Sequence, residues 1–426
     1  MTKEFFFKKL IARQKLTGIV IILFIGFYST TVYGALAGGR PNAFSEGNNA
    51  FAGVVNPANA VWIPDRLDVG AFWVNQKSSI NNTDNNPIFP PGRTYFTYKS
   101  RNILTTDFAI QRHFNLKIGP QTYDSSLTLA TYTMPEHTRL RTKYPLPSSG
   151  TTPVINRNKI NVVSAVFSFK LNDSHSFGLS IDGYYFSHLR NGFQNSDNPV
   201  RSVSPGNVTN NGYDHSSGVG CSIGWRWNIS KRLKFGMAWI KKTYCGQYKK
   251  YQGYEPHHAK NYIPHTVGAG FSYAFTKRLL GRVDVLWFNF GGLPGANNNI
   301  LSDGSLNLNK RGANNSPGPG LQDATFINVG LGYKFNSILS LGSGFSHRIR
   351  RNKGSNFISH TYQLQTIYDL LSIGANFKYK KNDVYLVFSY GFKNKTNGLM
   401  PLQLGGGRFS GEKQTTSLSI SWGYLY

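Results

Sequence analysis

From Arg66 to the last residue, apolar and polar side chains alternate in blocks of about ten, the two-residue period of a strand whose faces meet different media. In Leu371–Tyr379 one face carries Leu371, Ile373, Ala375, Phe377 and Tyr379, and the other Ser372, Gly374, Asn376 and Lys378. Val267–Phe275, Ile327–Phe335, Val384–Phe392 and Leu418–Tyr426 repeat the pattern. Scored along the chain, it predicts fourteen strands, at 66–75, 106–114, 125–134, 159–171, 174–188, 218–229, 233–244, 265–275, 279–290, 324–335, 339–349, 369–379, 384–393 and 415–426. Long and short connections alternate, about thirty residues after the first strand and about ten after the second. Polar links such as Asn172-Asp173 and Asn336-Ser337 suit antiparallel hairpins.

A soluble sandwich or propeller and a transmembrane barrel both accommodate such a meander. Strands of about ten to thirteen residues, against about five or six in globular sheets, favour the barrel. So do the alternating loops and the even strand number, which brings both sheet edges together and closes every backbone edge. Only 15% of the 426 residues are charged, too few for salt-laced helices. Two Cys and four Met exclude a disulfide scaffold and a Met-lined groove. The expected fold is all-β: a transmembrane antiparallel β-barrel of about 14 strands with an N-terminal plug, or hatch, in its lumen.

Residues 1–34 read as a secretory signal, with Lys3, Lys8, Lys9, Arg13 and Lys15 ahead of the apolar run Ile19–Phe27. Small residues permit cleavage after Gly34 or after Ala37. The segment's roughly 11 apolar residues fall short of the roughly 20 that span a bilayer as a helix. Residues 35–65, rich in Gly, Ala and Asn, are too polar for a strand and too glycine-rich for a stable helix. They are the expected plug, and 66–426 the expected barrel. Export of a barrel implies the outer membrane of a Gram-negative bacterium, with its lipid and lipopolysaccharide as surroundings.

Beyond residue 34 the chain keeps 42 basic and 18 acidic residues, clustered at Arg139–Lys143, Lys241-Lys242, Lys249-Lys250 and Arg348–Lys353. On an exported barrel such charge is solvated, faces lipid phosphate or steers anionic solutes, and nucleic acid is not an expected partner. Aromatics near strand ends, including Tyr184-Tyr185, Trp225, Trp227, Trp239, Tyr244, Trp287-Phe288 and Trp422–Tyr426, predict interfacial girdles. Gly220-Cys221-Ser222-Ile223-Gly224 has the spacing of a nucleophile elbow, but it lies within a strand instead of at a strand-to-helix turn. Small lumen-side residues explain it better. Glu255-Pro256-His257-His258 lacks the helical spacing of a metal site. Cys221 falls opposite about Lys241 across a hairpin, roughly 13 Å along the strand from Cys245 and beyond the reach of a bridge. No catalytic residue, metal or cofactor is expected.

The run Gly47-Asn48-Asn49-Ala50-Phe51-Ala52-Gly53, followed by Asn56-Pro57-Ala58, resembles the N-terminal hatch of the FadL/TodX family of outer-membrane transporters for hydrophobic compounds. The likeness continues through Lys249–Tyr254, Ile263-Pro264 ahead of Val267–Phe275, the Asp284 strand, and Asn397-Gly398 before a closing strand that ends in Tyr426. It implies a monomeric fourteen-stranded barrel, a hatch built around Asn56, Pro57 and Ala58, and passive passage of long-chain fatty acids or other apolar molecules. It also implies recognition of the barrel-assembly machinery through the strand ending at Tyr426. Phe44, Phe51, Val54 and Val55 are then candidates to line a ligand site, and Phe89, Tyr95, Phe96, Tyr144, Phe193 and Tyr213 to form a foothold in the loops. The chain departs from the family in a short interval between Gly53 and Asn56, and in a third strand without Gly or Pro from Ser125 to Met134. A general or anion-preferring porin and a non-transporting surface barrel are the alternative readings.

Overall fold

The computed structural model describes residues 42–82, 95–98, 102–134, 140–141, 150–298, 301–302, 305–318, 320–349, 369–399 and 408–426. The expected signal segment, residues 35–41 of the expected plug and the loop aromatics Phe89 and Tyr144 lie outside the described residues. Fourteen long strands form the wall: β1 Arg66–Asn82, β2 Ile103–Ile118, β3 Gln121–Met134, β4 Ile155–Lys170, β5 His175–Asn191, β6 Asp214–Asn228 and β7 Leu233–Ile240. The second half comprises β8 Thr266–Ala274, β9 Leu279–Phe288, β10 Ala324–Lys334, β11 Leu339–Arg348, β12 Asp369–Tyr379, β13 Asn382–Leu399 and β14 Arg408–Leu425. Each pairs antiparallel with its sequence neighbours. The ladder from Arg66↔Leu425 to Asn82↔Phe409 joins β1 to β14 and closes the barrel.

The alternation becomes two faces. Phe108, Leu129, Ile181, Ile223, Val283, Ile373, Phe388 and Ile420 are exposed on the outside, a ring of apolar side chains that only hydrocarbon would cover. Ser164, Ser180, Ser222, Asn328, Ser372, Ser389 and Ser417 face inward and are buried. Because neighbours in a strand point to opposite sides, the expected girdle pairs split. Tyr185 is exposed on the outside, whereas Tyr184 and Phe288 are buried inside the wall.

Several strands outrun the apolar alternation. β1 continues to Asn82, and β14 begins at Arg408. The extensions, such as Gln76-Lys77-Ser78-Ser79, are polar on both faces, so the hydrophobic period fades while the backbone ladder continues. The connections shrink accordingly, and the link between β2 and β3 is Gly119-Pro120, with Gly119 at φ +59°. β3 itself runs unbroken, in continuous register with both neighbours.

β7 does the opposite and stops at Ile240, short of the predicted 244. The Lys241 N–H still donates to the Cys221 carbonyl at 3.1 Å, the expected opposition across the hairpin. The chain then leaves the wall. Thr243–Gln247 pairs with Lys260–Ile263 as a small hairpin lying over the inner face of β6. A Cβ on Gly218 would come within 2.6 Å of the Tyr244 carbonyl oxygen, so the approach depends on glycine. Cys221 and Cys245 remain free thiols.

Candidate functional site

Residues 42–63 contain a single helical turn, α1 (Ala52–Val55), and a 3-10 turn, Pro57–Trp62. Almost all of the segment is buried. A glycine-rich polar chain has no hydrophobic stripe of its own, so its backbone groups must be satisfied by the wall. Inward-facing side chains around the circumference do this. Gln111 of β2 donates to the Ala60 carbonyl (2.7 Å), and Ser176 of β5 to that of Ala58 (2.8 Å). The Ala50 N–H donates to Asp68 of β1 (2.7 Å), and the Phe44 N–H to Asp284 of β9 (3.2 Å).

Asn56-Pro57-Ala58 is the hub of these contacts. Asn56 Nδ2 donates to the Phe44 carbonyl (2.7 Å) and to the Trp225 carbonyl of β6 (3.1 Å), while its Oδ1 caps the 3-10 turn by accepting from Ala58 N–H (3.1 Å). Pro57 sits at the first position of that turn, where no N–H is missed. The wall opposite is stripped of side chains. A Cβ on Gly224 would lie 2.0 Å from Asn56 Oδ1, and one on Gly268 would lie 2.0 Å from Phe44 Cζ. Gly178 and Gly236 face Pro57 and the Phe44 carbonyl in the same way. The elbow-like run Gly220–Gly224 thus serves as a seat within β6.

Glu46 supplies the charged contact. Its carboxylate meets Lys234 Nζ of β7 at 2.6 Å and Arg282 of β9 at 3.2 Å. Burial pushes the carboxyl up, but the two cations outweigh it and hold it at about 2.

All four candidate ligand-lining residues are buried, in two separate clusters. Phe51 and Val54 pack with Tyr184, Phe186, Cys245, Tyr248 and Tyr251, which ties the interior segment to the folded-in hairpin. Phe44 and Val55 pack with Ala238, Leu286, Phe288, Ala324 and Phe326. Among the loop aromatics, Phe193 is buried against Tyr254, Tyr213 is exposed, and Tyr95 and Phe96 fall in a short strand paired with β1. His257 and His258 occupy a left-handed turn, at φ 54° and 56°. Among the described residues no three His, Cys, Asp or Glu side chains gather as a metal site.

A cavity of about 180 Å³ opens between this hairpin and the loop after β9. Phe186, Tyr248 and Ala259 belong both to its wall and to the Phe51 cluster. None of Phe44, Phe51, Val54 and Val55 lines it. Sequence reasoning missed this cavity because its wall draws on β4, β5 and two loops far apart in the chain.

No family model and no curated protein matches the sequence. Solved structures do match in fold. The Pseudomonas putida toluene transporter TodX superposes with a TM-score of 0.61 at 14% identity, covering 92% of this chain and 97% of its own. A Pseudomonas aeruginosa FadL homologue gives 0.63 at 14% identity over 94% and 99%, and the Ralstonia pickettii toluene transporter TbuX 0.57 at 12% over 91% and 96%. The closed fourteen-strand wall and these superpositions give the chain the fold of the FadL/TodX-type transporters, an outer-membrane-type β-barrel.

Proposed function

We propose that the protein is an outer-membrane channel for passive uptake of hydrophobic solutes in a Gram-negative bacterium, and that residues 35–65 are a plug that must rearrange to let solute pass. The observation that carries this reading is the attachment of residues 42–63 to the inner wall through reversible hydrogen bonds and ion pairs over a glycine seat. Such contacts hold a segment closed yet release it without breaking a covalent bond. The apolar cluster running from Phe51 to Tyr251 places greasy surface inside the wall, which supports an apolar solute. Toluene transporters and a FadL homologue share the fold, which supports a hydrophobic cargo, with long-chain fatty acids as the class the hatch resemblance implies. The loops would face outward into lipopolysaccharide, and the strand ending at Tyr426 would engage the barrel-assembly machinery of a monomeric protein.

Deleting residues 35–64 tests the plug. Single-channel conductance in planar bilayers should rise sharply, and an unchanged trace would remove the plug from the account. Uptake of toluene and of oleate into proteoliposomes tests the cargo. Rates equal to those of protein-free vesicles for both would favour a surface barrel that transports nothing.

A further inference from the structure

We propose that the cavity beside the folded-in hairpin is a binding site for single-ring aromatic carboxylates of the benzoate class. Its size is the first argument. An apolar cavity of about 150 Å³ holds one benzene ring, so about 180 Å³ takes a ring with one small substituent but only a short part of a long acyl chain. The wall includes the aromatic residues Phe186, Tyr248 and Tyr262 together with Leu293. The ring of Tyr248 is itself fixed by stacking on buried His188 at 4.8 Å, and Tyr251 meets the same imidazole edge-to-face at 4.8 Å. A rigid aromatic wall binds a rigid ring at little entropic cost.

Charge selects the substituent. The cavity is lined by one carboxylate, Glu255, which is already engaged by Arg190, and by Lys260, whose ammonium has no carboxylate against it among the described residues. The neutral pair and the free cation leave the wall net positive. An aromatic carboxylate satisfies ring and charge together, whereas toluene satisfies only the first. Because Phe186, Tyr248 and Ala259 continue into the Phe51 cluster, a solute held here would touch the same packing that anchors the interior segment.

The purpose of this site rests on the uptake reading, but its occupancy is measured without transport, so the two fail separately. The detergent-solubilised full chain would be titrated calorimetrically with benzoate, toluene and palmitate. Benzoate should bind, Lys260→Met should weaken it about tenfold with toluene unchanged, and Leu293→Trp, filling the cavity, should abolish benzoate binding. Heat-modifiable electrophoretic mobility equal to wild type verifies that each variant is a closed barrel, with a more conservative Lys260→Gln replacing any that is not. Absence of benzoate binding, equal weakening of benzoate and toluene by the Lys260 variants, or competition by palmitate at the same concentration would each overturn the assignment.

Discussion

Glu46 ties the interior segment to two strands at once, and its removal has a calculable effect. In the docked segment its carboxyl is held at about 2, against an ordinary 4.5, although burial by itself acts the other way. The docked state therefore binds its proton about 2.5 pH units less readily than the released one. At about 1.4 kcal/mol per unit, that stabilises docking by about 3–4 kcal/mol, a factor of about 300 in the docking equilibrium. A depressed carboxyl contributes in full above its free value, so the contribution is complete above pH 4.5. It declines as the pH falls towards 2 and is gone below that.

Glu46→Gln should place the protein at neutral pH where acid would otherwise bring it, with the ion pairs from Glu46 to Lys234 and to the mostly buried Arg282 lost. The assay is planar-bilayer recording of spontaneous openings from pH 7 to pH 2. At pH 7 the variant should open about two orders of magnitude more often than wild type. The two curves should converge as acid protonates Glu46 in the wild type. The difference between the curves isolates this residue, because Asp68 and Asp284 also hold the segment. Equal opening frequencies at pH 7, or a gap that persists unchanged to pH 2, would refute the reasoning.

Three further outcomes follow from the seat and the hairpin. Gly268→Val should displace the Phe44 ring and raise basal conductance, and adding Phe44→Ala should restore part of the seal, whereas independent additive effects would argue against their contact. Asn56→Ala removes three hydrogen bonds and should cost about 2–4 kcal/mol of local stability, read as faster hydrogen exchange confined to residues 42–63. Burial raises the Cys245 thiol to about 11, roughly two units above its ordinary value, so maleimide should label it about a hundredfold more slowly than a solvent-exposed thiol in the same protein. Rapid labelling of Cys245 in the resting protein would show that the hairpin does not stay folded onto β6.

Legibility in the sequence followed the physics of each contact. The wall was readable because lipid and lumen impose a period of two on every strand, and all fourteen predicted blocks coincide with strands β1 to β14. Strand ends were not, since Gln76–Asn82 and Arg408–Gln414 are mostly polar on both faces and carry no such period. The departure of β7 at Ile240 was hidden for a different reason: the inward path of the following chain needs the space left by Gly218, which sits in another strand.

Inward glycines are where sequence and structure meet most usefully. A barrel interior that only had to be polar would be served by serine or asparagine, which cost less conformational entropy than glycine. Gly178, Gly224, Gly236 and Gly268 lie on four consecutive strands, and each removes a Cβ that would collide with the chain between Phe44 and Ala58. The arrangement trades strand stability for close backbone approach, and that exchange makes sense only if the segment they receive belongs there in the resting state. Replacing Gly224 by Ser, which keeps the face polar and changes only the space, separates the two demands. A seat predicts a leak through the channel, because the new Cβ stands 2.0 Å from Asn56 Oδ1, whereas a merely polar lining predicts no change in conductance.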